Sequence, residues 1–293
     1  MPRGSAAPVT LDPRLHAWRA DLADSRLRDR VAAPRYADGR EARTVVGRAP
    51  LRRLPQPQAE TVSFSHYGEA LSVFEEAGGY AWCQSRFDGY VGYVAAEHIA
   101  IGQAPAATHY VATLGAYAHE GPDLRSAARD FLPRHSVVTV AAAGLVTRGT
   151  EYVRLDSGLH LPRACLSQAP PRSPDIAAAA MLYLGCPYLW GGRSFLGLDC
   201  SGLVQCAFQD LGVAVPRDTD LQERAIGDSV VAGAVGDLRR GDLLYLPGHV
   251  LIYAGDGAVI HADGASMTVR RDKFAALMRE RALEFASFVV RRA

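Results

Sequence analysis

Cys200 and His249 are the two residues whose types and settings point most directly to covalent chemistry. Cys200 stands in Leu198-Asp199-Cys200-Ser201-Gly202, and Leu203, Val204, Ala207, Phe208 and Leu211 follow it on one helical face. This spacing puts the thiol at or just before a helix N-terminus. Unpaired backbone N–H groups and the positive end of the dipole favour a thiolate there. The same N–H groups can meet an oxyanion that forms beside the sulfur. The proton acceptor is read from Gly248 to Gly255, a strand that begins at His249. Asp256-Gly257 is a turn, and the returning strand Ala258 to Ala262 carries His261. Both histidines lie near the open end of that hairpin and become neighbours if the register sets them on one face. The result is a Cys–His–His relay of nucleophile, base and orienting imidazole. With His249 as base, activity is expected to rise over neutral pH.

The elements that must hold this relay divide the chain into blocks. Residues 175–293 read as an α+β domain whose first helix runs from Ile176 to Leu184, with Ser173 and Pro174 at its start and Gly185 and Pro187 at its end. Residues 168–174 form a stiff, proline-rich linker. Short β-type runs separated by turn signals (Gly78-Gly79 and Asp88-Gly89 among them) fill 42–104, and a second series fills 105–167. Each reads as a small all-β barrel. Residues 1–41 read as an N-terminal helical segment: Asp12 caps, Pro13 takes the first helical position, and Leu15, Trp18 and Leu22 recur at helical spacing.

Composition excludes several other classes. The 293 residues carry a formal net charge of +1, with 48% hydrophobic and 22% charged residues, so neither a nucleic acid nor a membrane is indicated as partner. The first thirty residues are charged throughout and lack the apolar core of a secretory signal, so a cytoplasmic location is expected. The five cysteines, at 83, 165, 186, 200 and 206, form no CxxC pair and read as free thiols, all but Cys200 as small buried apolar residues. No HExxH or clustered ligand spacing supports a metal, and no glycine-rich loop sits between a strand and a helix to hold a phosphate cofactor.

Two resemblances then become visible. Gly68-Glu69 before an apolar strand, Tyr80-Ala81-Trp82, and the run from Asp88 to Val94 resemble the bacterial SH3-like barrels attached to cell-wall enzymes, which the second barrel resembles in outline. In the last two fifths of the chain, Pro187-Tyr188-Leu189-Trp190-Gly191-Gly192, Asp199-Cys200-Ser201-Gly202, the run from Gly241 to Gly255 and Val259-Ile260-His261-Ala262-Asp263-Gly264 resemble, in order and spacing, the NlpC-type family of papain-like cysteine peptidases. With two barrels in front, the whole resembles the γ-D-glutamyl-L-diamino acid endopeptidases. The resemblance implies that Cys200 is the nucleophile, His249 the base and His261 the third polar member. It implies that Tyr188 helps hold the oxyanion, that Asp199 and Ser201 bind the substrate backbone, that Trp190 shapes the pocket wall, and that Asp218 lies near the substrate's free amine. Glu69 and Tyr90 are the barrel residues expected to close the cleft.

The expected activity is hydrolysis of the γ-D-glutamyl to L-diamino acid bond in released peptidoglycan peptides with a free N-terminal L-Ala, as in cell-wall recycling. The alternatives are a related acyl or amide transferase, or a non-catalytic module that binds cell-wall peptides. The intact Cys–His–His set argues against the last.

Overall fold

Gly78 and Gly79, with φ of 59° and 80°, close a two-residue hairpin between strands Ala70–Ala77 and Tyr80–Ser85. Two consecutive positive φ values give the turn that matches the natural twist of antiparallel strands. The computed structural model, which describes residues 11–103 and 105–293, extends this hairpin into a seven-stranded antiparallel sheet. Its order is Thr61–His66, Arg48–Arg52, Val91–Ala95, Tyr80–Ser85, Ala70–Ala77, Arg40–Thr44 and Ile99–Ile101. Leu51, Leu71, Val73, Cys83, Tyr90 and Val94 fill its core.

The N-terminal segment differs from the helix its periodicity predicts. Residues 1–10, including Thr10, lie outside the described residues. From Leu11 onward the chain makes a turn, an antiparallel bridge between Trp18 and Ala23, and a strand, Leu22–Asp24, that pairs in parallel with Arg35–Ala37. The single helical turn in this stretch is the 3₁₀ turn Ser25–Leu27. The barrel surface decides the outcome. Ala17 and Leu22 are buried against Phe74 and Trp82, and Val91 N–H and the Gln84 amide donate to the carbonyls of Arg14 and Leu15, both at 2.8 Å. A helix this short is marginal in water, so side-chain burial and cross-chain backbone bonds set its conformation instead. The Asp12 carboxylate accepts from Arg14, its backbone N–H and its guanidinium, and caps no helix.

The second β unit consists of a three-stranded sheet (Val137–Val138, His109–Val111, Leu166–Ser167) and a five-stranded sheet (Ala128–Pro133, Gly115–His119, His160–Pro162, Thr150–Leu155, Val140–Thr147). Its core of Val111, Leu132, Val153 and Leu161 also takes in Tyr67 from the first unit. The backbones come close here: Val137 N–H donates to Tyr67 O at 3.0 Å. A Cβ at Gly68, where φ is 79°, would collide with the Val137 carbonyl. Glycine at 68 therefore serves both a left-handed turn and the junction of two units.

The α+β unit carries a six-stranded antiparallel sheet in the order Asp228–Val230, Val289–Arg292, Leu243–Leu246, His249–Gly255, Ala258–Asp263, Thr268–Lys273. Helices α1 (Ile176–Met181) and α2 (Cys200–Gln209) pack with Leu243, Val250, Ile252 and Ile260, while α4 (Phe274–Glu280) packs with Leu244, Leu251 and Val259. Apolar cover on both faces explains why the central strands read as unbroken apolar runs. Helix α1 is shorter than its sequence pattern suggests. Asp175, not Ser173, is its N-cap, accepting from Ala178 N–H at 2.7 Å, and the helix ends at Met181. Helix α3 (Thr219–Ala225) follows α2.

Candidate active site

Asp199 is the N-cap of α2 and Cys200 its first residue. The capping carboxylate accepts from Gly202 N–H at 2.7 Å and from Gly191 N–H at 2.8 Å. It also takes both arms of the fully buried Arg217, at 3.0 and 2.5 Å. Arg217 further donates to Ser201 Oγ at 2.7 Å. Asp199 and Ser201 do line the cleft, but these bonds commit their side chains to holding the turn that presents the sulfur. Arg217 is the residue that sequence reasoning missed here: it stands beside Asp218, and only folding reveals its partner.

Cys200 Sγ lies 3.9 Å from Gly248 O, immediately before His249. The two histidine rings meet edge to face, with centroids 5.2 Å apart. His249 Nε2 is 3.0 Å from His261 Nδ1, and His261 Nε2 is 3.0 Å from Asp272 Oδ2. The carboxylate sets the tautomers by elimination. It can only accept, so His261 Nε2 carries a proton and its Nδ1 accepts from His249 Nε2–H. His249 Nδ1 is left with a lone pair and no hydrogen-bond partner among the described residues, free to take a thiol proton. Asp272, anchored by Arg270 at 2.6 Å, extends the relay by a member absent from the sequence reading. A strand-borne Asp eleven residues after a histidine has no distinctive signal until the strands pair.

Burial decides the resting protonation. It pushes the Cys200 thiol up to about 12, with the Asp199 charge adding to the rise, against the lowering effect of the Val250 and Ser201 backbone N–H groups. It brings His249 down to about 4, reinforced by His261 and Arg281. Burial of each group thus favours its uncharged form, thiol and neutral imidazole. The helix N-terminus does not outweigh desolvation plus a neighbouring carboxylate. These shifts give a different expectation from a rise in activity over neutral pH. His249 is already an unprotonated base above about pH 5, so kcat/KM should be flat from about pH 5 to 7, with its acid limb near the His249 value. A pH–rate profile with a limb centred near the ordinary histidine value, about 6.5, would contradict this.

Tyr188 forms a bridge to Leu198 and is close enough for the charges of Cys200 and Asp199 to act on its phenol. Burial, chiefly, raises that phenol to about 12, keeping it a hydrogen-bond donor at neutral pH.

The cleft beside Cys200, about 230 Å³, lies between the α+β unit and the first barrel. Trp190 stands at its rim, 59% exposed, and its indole N–H donates to Glu60 at 2.9 Å. Tyr90 and Asp218 do meet in the cleft: the Tyr90 hydroxyl donates to Asp218 Oδ2 at 2.8 Å. Asp218 occupies the N-cap position of α3 but its carboxylate makes no capping bond, which leaves that group to the cleft.

Glu69 is the correction. It does not reach the cleft, because buried Arg193 holds both its oxygens, at 2.8 and 3.0 Å, and His66 N–H donates to it at 2.9 Å. A buried guanidinium needs a carboxylate at close range, so Glu69 fastens barrel to α+β unit. Glu60, from the loop before Thr61–His66, is the barrel carboxylate that lines the cleft. It accepts from Trp190 and Arg53.

A family model described as NlpC/P60 family matches residues 185–285, and one described as bacterial dipeptidyl-peptidase Sh3 domain matches residues 51–99. Dipeptidyl-peptidase 6 of Lysinibacillus sphaericus is 39% identical over 88 residues, 30% of this chain and 31% of that protein. A gamma-D-glutamyl-L-lysine dipeptidyl-peptidase of Bacillus cereus is 34% identical over 107 residues, 34% of this chain and 31% of that protein. The chain thus matches under a third of the length of these relatives. The crystal structure of an NlpC/P60 family protein from Bacillus cereus superposes with a TM-score of 0.69 at 19% identity, over 86% of this chain and 99% of that one, a likeness of fold.

Proposed function

With residues 185–285 forming a domain of the NlpC/P60 family and residues 51–99 a bacterial dipeptidyl-peptidase SH3 domain, we propose that the chain is a cysteine peptidase that cleaves the γ-D-glutamyl to L-diamino acid bond of released peptidoglycan peptides whose L-Ala amine is free. The observation that carries this reading is one cleft holding Cys200 at the start of α2 and, among its walls, the Asp218 carboxylate with the Tyr90 hydroxyl on it. The Bacillus cereus relative, a gamma-D-glutamyl-L-lysine dipeptidyl-peptidase, supports the choice of bond. We read residues 105–167 as a second, diverged SH3-like barrel, because short antiparallel strands surround one apolar core there.

In this mechanism Cys200 Sγ attacks the γ-carbonyl carbon of D-Glu while its proton passes to His249 Nδ1. The Tyr188 hydroxyl and the N–H groups at the start of α2 meet the oxyanion. His249 returns the proton to the departing amine of the diamino acid, leaving a thioester. Water, deprotonated by the same nitrogen, then releases the dipeptide and restores the thiol. His261 and Asp272 hold the imidazole tautomer through both halves. A free L-Ala amine exists only once the link to the glycan has been cut, so the substrates of this reading are released, soluble peptides, and we propose that they are recycling peptides met in the cytoplasm. Incubation with L-Ala-γ-D-Glu-diaminopimelate, followed by mass spectrometry, should yield L-Ala-D-Glu and free diaminopimelate. A tripeptide left intact, or cut only between L-Ala and D-Glu, would overturn the proposal.

A further inference from the structure

Arg14 reaches the cleft from the N-terminal segment, more than two hundred residues away in sequence from Asp218 and Asp220. All five of its N–H donors are engaged. Nε faces both oxygens of Asp12 at 3.1 and 3.2 Å. Nη1 donates to Asp218 Oδ2 and Asp220 Oδ1, both at 2.8 Å. Nη2 donates to Asp12 Oδ2 at 2.7 Å and Asp220 Oδ2 at 2.8 Å. Three carboxylates thus converge on one guanidinium, whose backbone is pinned to the first barrel through Val91 N–H. On Asp218 the division of labour is sharp. Oδ2 accepts from both Arg14 and Tyr90, while Oδ1 has no hydrogen bond among the described residues.

We infer that Arg14 is a specificity-determining positioning residue: it and Tyr90 hold Asp218 Oδ2 so that Oδ1 is aimed at the ammonium of the bound peptide. This rests on the free-amine reading above and adds the N-terminal segment as a third wall of the subsite. A guanidinium already seated on the carboxylate could instead be an internal competitor for the substrate's ammonium. The geometry decides against that role. Every Arg14 donor is satisfied, and with Arg224 also on Asp220 at 2.6 Å the three carboxylates face two guanidiniums, an excess of one negative charge that still attracts a cation. Without Arg14 the three carboxylates repel one another, and Asp218 loses one of the two groups that orient it.

The test compares L-Ala-γ-D-Glu-diaminopimelate with its N-acetylated form in the full-length wild type, Arg14→Ala and Arg14→Lys. Arg14→Ala should raise KM for the free-amine peptide about tenfold, with kcat within about twofold, and should leave the N-acetylated peptide as poor as before, the signature of a lost binding contribution. Arg14→Lys should recover only part of the loss, because an ammonium supplies the charge but not the planar fork. A fall in KM in Arg14→Ala would make Arg14 a competitor. An equal loss on both peptides would make it merely structural, and no change would remove the role. If the wild type itself cleaved both peptides alike, the free-amine reading would fall and the Arg14 assignment with it. A wild type that discriminates, with an Arg14→Ala variant that does so equally, would remove the Arg14 assignment alone.

Discussion

His249→Ala is expected to lower kcat/KM on the free-amine tripeptide by about 10²–10⁴-fold, the range over which a positioned general base acts. The argument runs through nitrogen atoms. Asp272 fixes the proton on His261 Nε2, His261 Nδ1 takes the one on His249 Nε2, and His249 Nδ1 remains to accept from the thiol. With burial favouring the thiol over the thiolate at Cys200, attack depends on that transfer. His261→Ala and Asp272→Asn should cost less, about 10–100-fold each, as expected for groups that orient a reacting residue without touching the substrate. Their effects should fall mainly on kcat, since neither is placed against the peptide. A steady-state series on the three variants checks this. If His261→Ala proved more damaging than His249→Ala, the assigned direction of the relay would be reversed.

The wild type should cleave L-Ala-γ-D-Glu-diaminopimelate at least about 10²-fold faster than its N-acetylated form, and Asp218→Asn should erase most of that difference by slowing the free-amine peptide alone. A charge-assisted hydrogen bond contributes roughly 1.5–3 kcal/mol, and Asp218 is about a quarter exposed, which favours the lower part of that range. The remainder of the discrimination comes from the acyl group itself, which must fit against Tyr90 and the barrel wall and leaves Asp218 Oδ1 without a donor. Competition between the two peptides in one reaction, followed by mass spectrometry, gives the ratio directly. Comparable rates in the wild type would sink the free-amine reading and the barrel's part in it. An equal loss on both peptides in Asp218→Asn would reduce that aspartate to a structural one.

The placement of Cys200 and His249 was legible in the sequence because both stand where local pattern is strongest. Cys200 begins a helix and His249 begins a strand, and the Asp256-Gly257 turn fixes how the strand carrying His261 returns. Glu69 misled because its motif marks the barrel correctly but does not say where a side chain points. Only the buried Arg193, 124 residues later, shows that it faces a domain junction. Arg14, Arg217 and Asp272 were not legible for the same physical reason. An ion pair is specified by the approach of distant segments, and a single charged residue carries no periodicity to announce it. The N-terminal helix failed differently. Leu15, Trp18 and Leu22 do recur at helical spacing, but the barrel surface offered Ala17 and Leu22 a burial site that turns and a short strand satisfy better. The pH expectation changes with the structure because a helix N-terminus is visible in a sequence, whereas burial of Cys200 and His249 and the placement of Asp199 beside the thiol are not.

The claim on which everything else depends is that Cys200 carries the γ-glutamyl group during turnover. Acid quenching of the reaction with L-Ala-γ-D-Glu-diaminopimelate, followed by peptide mapping, tests it. The account predicts an L-Ala-γ-D-glutamyl adduct on the peptide containing Cys200, formed before free dipeptide accumulates, and neither adduct nor turnover in a folded Cys200→Ala protein. Turnover that survives in Cys200→Ala, or an adduct mapped to any of the other four cysteines, would contradict it.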